Sequence, residues 1–263
     1  MGIVPDPRTI SANSVLPAVR RPFELFTADG LRLVGEAALP VDREPRATIV
    51  CVHPLPTHGG MMDSHLFRKA AWRLPALADI AVVRFNLRGT ESAAGASEGE
   101  FDEAEGEGFD LTAAVEWTLG SELPAPWLVG WSFGTDVVLK HGLIPGLPGA
   151  ILLSPPLRWS RASDLQAWTV DGRRVVALVP ELDDFLPPDA AARAFAPLRQ
   201  VELIPAEGAK HLWVGESWVR WVLGSIVAVV APDVPVPLPT LWQGPMERWN
   251  DLAGASTSTS TTS

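Results

Sequence analysis

Three residue types in this sequence could combine into nucleophilic chemistry: a serine between glycines, a late histidine, and an aspartate between the two. The serine is Ser132, in Gly130-Trp131-Ser132-Phe133-Gly134. The apolar run Trp127-Leu128-Val129 leads in, and the helix-like Asp136-Val137-Val138-Leu139-Lys140 leads out. A strand that turns sharply into a helix thrusts one hydroxyl over the sheet edge. Glycines on either side allow the tight backbone approach that a side chain would block. A serine hydroxyl needs a base to take its proton, and the base needs a carboxylate to hold its tautomer. The pattern therefore predicts a base, an acid and oxyanion donors elsewhere in the chain.

Of the five histidines, at positions 53, 58, 65, 141 and 211, only His211 follows an apolar run late in the chain. It ends the short Gly-containing loop Ala206-Glu207-Gly208-Ala209-Lys210-His211. The preceding apolar run, from Arg174, ends in Pro180-Glu181-Leu182-Asp183-Asp184. Either aspartate could hold an imidazole by its N–H. Asp183 is favoured, with Asp184 as a helix cap or surface charge. The order Ser132, Asp183, His211 is the hydrolase order of nucleophile, acid and base. In His53-Pro54-Leu55-Pro56-Thr57-His58-Gly59-Gly60 the prolines have no N–H. That leaves the Leu55 amide as the natural first oxyanion donor, with the Phe133 amide as the second. The alternative for this segment is an ordinary Pro-rich loop with a structural His53.

Other chemistry-bearing residues read as structural. Arg84 to Gly89 should fix a loop, with Arg88 pairing to the acidic stretch downstream. That stretch, Glu98 to Glu107, lacks the ligand alternation of a calcium loop and reads as a solvated helix start meeting the macrodipole. Cys51, the single cysteine, lies in an apolar run and reads as a buried thiol. No metal site and no cofactor is expected.

The elements that must position these residues alternate. Candidate buried strands cover residues 47–53, 80–85, 127–130, 150–154, 174–179 and 201–205. Candidate helices cover 64–74, 106–119, 133–141, 188–195 and 211–230. Short apolar strands alternating with helices indicate an α/β fold: a mostly parallel sheet covered on both faces. Residues 23–27 and 31–38, joined through Asp29-Gly30, read as an antiparallel edge hairpin. Chemistry in such a sheet collects at the carboxyl ends of the strands, where all the candidates lie. Residues 1–22 read as an extension and 23–230 as one domain. Residues 231–263 read as a proline-rich and then Ser/Thr-rich tail, with its end disordered.

Composition narrows the partners. With 21 basic and 31 acidic residues the net charge is −10. That argues against nucleic acid and anionic membrane surfaces, leaving a small-molecule substrate. The N-terminus lacks a signal-type apolar core, and no 18-residue apolar run exists, so a cytoplasmic location is expected. Tyrosine is absent, which removes one common class of catalytic acid, while tryptophan occurs 11 times.

These motifs together resemble the α/β-hydrolase superfamily. Within it the chain is similar to a branch of small bacterial predicted serine hydrolases carrying H-P-x-P-x-x-G-G, here His53–Gly60, and R-F-N-x-R-G, here Arg84–Gly89. An acidic stretch, here Ser97–Asp102, precedes their G-x-S-x-G. The resemblance spans residues 23–230. It implies Ser132 as nucleophile, Asp183 as acid and His211 as base, with the Leu55 and Phe133 amides as the oxyanion hole. The chain departs from the branch at Leu55, where many members have histidine, and after Gly89, where Thr90-Glu91-Ser92 replaces a usual glycine. The gap from Ser154 to Arg174 is too short for a separate cap domain and leaves room only for a short helical flap. Ester hydrolysis through an acyl-enzyme is the expected reaction. A thioesterase, a peptidase, an acyltransferase or a non-catalytic binding protein are the alternatives.

Overall fold

The computed structural model describes residues 6–249. Eight strands form its central sheet: β1 (Val19–Phe26), β2 (Arg32–Leu39), β3 (Ala47–Val52), β4 (Ile80–Phe85), β5 (Trp127–Trp131), β6 (Gly149–Leu153), β7 (Arg174–Leu182) and β8 (Val201–Lys210). Their spatial order is β8-β7-β6-β5-β3-β4-β2-β1. The β1–β2 and β2–β4 pairs are antiparallel, and every other neighbouring pair is parallel.

β3, β4 and β6 are buried at every residue, as continuous apolar runs require when both faces are covered. Alternate residues serve alternate faces. Ile49 and Cys51 join α1 (His65–Ala78) and α6 (Glu216–Val230) in one core. Val50 and Val52 join α2 (Glu107–Gly120), α3 (Phe133–His141) and α4 (Ala162–Asp171) in the other. A short α5 (Pro188–Ala194) adds Ala191 to that second core. Among the described residues no helix is long and apolar enough to cross a membrane.

The edge hairpin is present, but β1 and β2 pair as far as Phe26 with Arg32, leaving residues 27–31 as the turn. Gly30 takes φ +91° there, so the Asp-Gly signal marks the bend within a longer loop than a two-residue turn. The helix in the segment between β6 and β7, α4 (Ala162–Asp171), is no flap. Trp168 of α4 is fully buried and donates its indole N–H to the Leu139 carbonyl of α3 at 2.9 Å, which makes α4 part of the core layer.

The chain ends differ most from expectation. Residues 6–22 and 231–249 are tied into the body. Arg8–Thr9 pairs antiparallel with Leu241–Trp242, and Ser14–Val15 with Glu247–Arg248. Ile10, Leu16, Ala231 and Leu238 are buried, and the Trp72 ring of α1 packs at a tilt against Trp249, with ring centres 5.3 Å apart. Each segment is too polar and Pro-rich to form a core alone, yet each supplies the backbone partners the other lacks. The Ser/Thr-rich stretch 255–263 lies outside the described residues.

Candidate active site

Ser132 stands between the end of β5 and the start of α3 with φ +52° and ψ −119°, a conformation non-glycine residues adopt only when their surroundings enforce it. Its amide donates to Leu153 O at 2.9 Å, and its carbonyl accepts from the Thr135 amide and hydroxyl at 2.8 and 2.7 Å. The glycines have a steric reason. A Cβ at Gly130 would stand 2.5 Å from Gly134 O, and one at Gly134 would overlap the Val52 carbonyl. β3, β5 and α3 therefore meet backbone to backbone beneath the serine.

Asp183 and His211 leave adjacent strands side by side. β7 and β8 continue pairing past Pro180 through a register shift, and Leu182 partners Lys210. The next residue on each strand is Asp183 on one and His211 on the other. The buried Asp183 carboxylate accepts the His211 Nδ1–H at 2.9 and 3.1 Å to its two oxygens. It also accepts the amides of Phe185 at 2.8 Å and Leu186 at 3.3 Å. With Nδ1 donating, the free lone pair of His211 is on Nε2, which receives the Ser132 hydroxyl at 2.8 Å. Asp184 is exposed and lacks an ion-pair or hydrogen-bond partner among the described residues. The sequence pair is thus split by geometry, with Asp183 against the imidazole and Asp184 at the cavity wall.

His53 is fully buried inside the loop after β3. Its Nε2 accepts the Leu87 amide at 3.0 Å, so its Nδ1–H donates to Pro54 O at 2.6 Å. Burial lowers its pKa to about 4, against a weaker upward pull from the Pro54 carbonyl, which keeps the ring neutral and this donor–acceptor pattern fixed. In a trans peptide the C=O and the following N–H point opposite ways. Holding the Pro54 carbonyl on His53 therefore turns the Leu55 N–H to the other side. Neither the Leu55 nor the Phe133 amide has an acceptor among the described residues, and both residues line a cavity of about 410 Å³ with Ser132 and His211. Gly60 is required here because a Cβ would overlap Pro54 O.

Comparisons with known proteins agree on the framework. No family model and no curated protein sequence matches the chain. Among solved structures, an α/β serine hydrolase without lid from Xanthomonas campestris is similar at 26% identity and TM-score 0.65, over 84% of this chain and 98% of its own. An α/β serine hydrolase homologue from Coxiella burnetii is similar at 24% identity and TM-score 0.65, over 80% and 97%. An esterase of Pyrococcus furiosus shares 16% identity at TM-score 0.65, over 80% and 89%. The chain has the α/β-hydrolase fold.

That fold carries further positioning groups that the motifs do not mark. The His211 carbonyl accepts the Ser154 hydroxyl at 2.9 Å and the Trp131 indole N–H at 3.4 Å, and the Phe185 ring packs on the imidazole at 4.6 Å. Ser154 sits at a strand end with φ +49°, so a survey of strand ends could have found it. Asp136, buried in the first turn of α3, accepts the amides of Arg158 at 3.3 Å and Ser160 at 2.9 Å and also the Ser160 hydroxyl. Burial raises its pKa, and these donors offset that only in part. Its helical context hid that role.

The R-F-N-x-R-G segment is framework, as expected. Arg84 pairs with Asp63 at 2.8 Å and donates to Met62 O at 3.1 Å, bracing the loop that follows residue 60. Arg88 pairs with Asp110 at 2.8 Å and Asp29 at 3.0 Å. Its partners thus lie outside the Glu98–Glu107 stretch expected to supply them, because Asp110 faces inward from α2 while that stretch wraps its N-terminus. Cys51 is buried, and desolvation pushes its thiol up to about 12. Among the described residues no three His, Cys, Asp or Glu side chains converge as metal ligands.

Proposed function

We propose that the chain is a serine hydrolase of carboxylic esters that works through an acyl-enzyme. One observation carries this reading: the hydrogen-bond run from Asp183 through His211 to the hydroxyl of a serine held in a left-handed elbow. In this reading the Ser132 hydroxyl attacks the ester carbonyl while His211 Nε2 takes its proton, and Asp183 stabilises the resulting imidazolium. The negative charge on the carbonyl oxygen is met by the Leu55 and Phe133 amides, donors that need no reorganisation. His211 then returns its proton to the departing alkoxide. Water, deprotonated by the same imidazole, releases the acid and frees Ser132.

The cycle asks for no cofactor and needs only a small acyl substrate that can enter an open cleft. The Xanthomonas relative, whose fold is alike and lidless, supports hydrolysis at an unshaded site. The test is labelling by a fluorophosphonate together with 4-nitrophenyl acetate turnover. Wild type should label at Ser132 and turn over. Ser132→Ala should do neither, losing at least about 10³-fold in kcat, with its melting temperature unchanged. Turnover that survives in Ser132→Ala overturns the proposal. Absence of label in wild type would instead fit a binding protein. A panel of matched ester, thioester and amide substrates separates ester hydrolysis from the other acyl transfers.

A further inference from the structure

Among the described residues, Arg158 is the unpaired cation of the cavity. It lies in the loop after β6, whose backbone is pinned by buried Asp136 only one helical turn from Ser132. Its guanidinium rests on the Trp159 ring at 4.7 Å. Trp159 in turn packs edge-on against Phe133 at 5.0 Å, beside the second oxyanion amide. Arg158 and Ser132 line the same cavity.

The buried arginines are all engaged. Arg73, Arg84 and Arg88 are buried and each faces a carboxylate, at 2.5 Å to Glu216, 2.5 Å to Glu36 and 2.8 Å to Asp110. Arg158 is exposed, and among the described residues its guanidinium has neither a carboxylate within ion-pair distance nor a hydrogen bond. A chain of net charge −10 repels anions at long range, so any selectivity for them must come from a local cation held in place. A planar guanidinium on an aromatic platform suits that role, since its free edge can meet a carboxylate through two parallel N–H···O bonds.

We propose that Arg158 makes the site selective for esters whose acyl part ends in a carboxylate, the half-esters of short dicarboxylic acids. The inference rests on the serine-hydrolase reading. The leaving group must lie next to His211, which protonates it, on the side walled by Phe185 and Leu212. The acyl chain then runs along the Phe133–Trp159 wall towards Arg158. Asp184, exposed on the same cavity, opposes an anion, so the effect depends on the guanidinium meeting the carboxylate directly.

The experiment compares 4-nitrophenyl hydrogen adipate with its neutral methyl ester in wild type, Arg158→Gln and Arg158→Lys. The readout is the ratio of kcat/KM for the anionic over the neutral substrate. Arg158→Gln should lower that ratio about five- to tenfold, mostly through KM, as the loss of one charge-assisted contact in a solvated cavity predicts. Arg158→Lys should keep part of the preference, and the wild-type ratio should fall as salt is raised. Equal ratios in wild type and Arg158→Gln, with both substrates turned over, would overturn this inference and leave the hydrolase reading standing. Failure of wild type to cleave either ester would overturn both.

Discussion

His53 takes no part in proton transfer, yet the orientation of the Leu55 amide hangs on it. Removing its ring should cost activity in kcat more than in KM, because the oxyanion exists only in the transition state. His53→Ala is expected to lower kcat ten- to about a hundredfold. His53→Asn, which can still offer an N–H to Pro54 O, should recover part of that loss. Equal kcat in wild type and His53→Ala would remove the loop from the mechanism. The same residue makes a prediction about pH. Its pKa is about 4 in the folded chain and 6.5 in the ordinary state, so the unfolded chain binds the extra proton more readily. The stability contributed by neutral His53 is therefore complete above about pH 6.5 and lost as pH falls towards 4, amounting to about 3 kcal/mol. Urea denaturation at pH 7 and pH 4.5 should show wild type losing more stability than His53→Asn, by about 2 kcal/mol, most of the full amount. Parallel losses would contradict the assignment of a neutral buried ring.

At the scale of elements, the site depends on a backbone-to-backbone crossing of β3, β5 and α3 with no room for a methyl group. Gly134→Ala should destabilise the protein by about 3 kcal/mol, seen as a lowered melting temperature, because its Cβ would overlap the Val52 carbonyl. A variant as stable as wild type would show that α3 can slide outward. The Gly130 and Gly134 signature, the strand-end positions and the order of Ser132, Asp183 and His211 were all legible, since each follows from local pattern or from chain order. The pairing of β7 and β8 beyond Pro180 and Pro205 was not. Pro180, Glu181, Glu207 and Gly208 carry turn chemistry, and Gly208 does take φ +75°; only the neighbouring strand turns this stretch into a bulge after which pairing resumes at Leu182 and Lys210. That resumed pairing is what sets Asp183 beside His211. Asp136 was hidden for a similar reason, because a carboxylate in a first helical turn already has a sufficient local explanation in the helix dipole. His53 could be narrowed only to two roles, since its partner amide at Leu87 lies on another strand's loop.

For the whole molecule, the two ends of the described chain are structural. Two-residue pairings between segments so far apart leave no periodic signal, which is why they read as an extension and a tail. Deleting residues 231–263 should lower the melting temperature by about 5–10 °C, through exposure of Trp72 and loss of the Leu238 packing, while the cleft keeps its ester turnover. An unchanged melting temperature would mean that residues 231–249 contribute nothing to stability. The contact between Arg8 and Trp242 closes a loop of roughly 230 residues, and the entropic cost of closing so long a loop has to be met for a few short hydrogen bonds. Such a contact belongs at the end of folding, after the sheet has drawn its anchors together. It belongs equally at the start of unfolding, when Trp72 and Trp249 would part and the tryptophan emission would change while Ser132 still answers to a probe. The paired ends would thus act as a seal, and a change in tryptophan emission that precedes loss of fluorophosphonate labelling during slow unfolding is the expected sign of it.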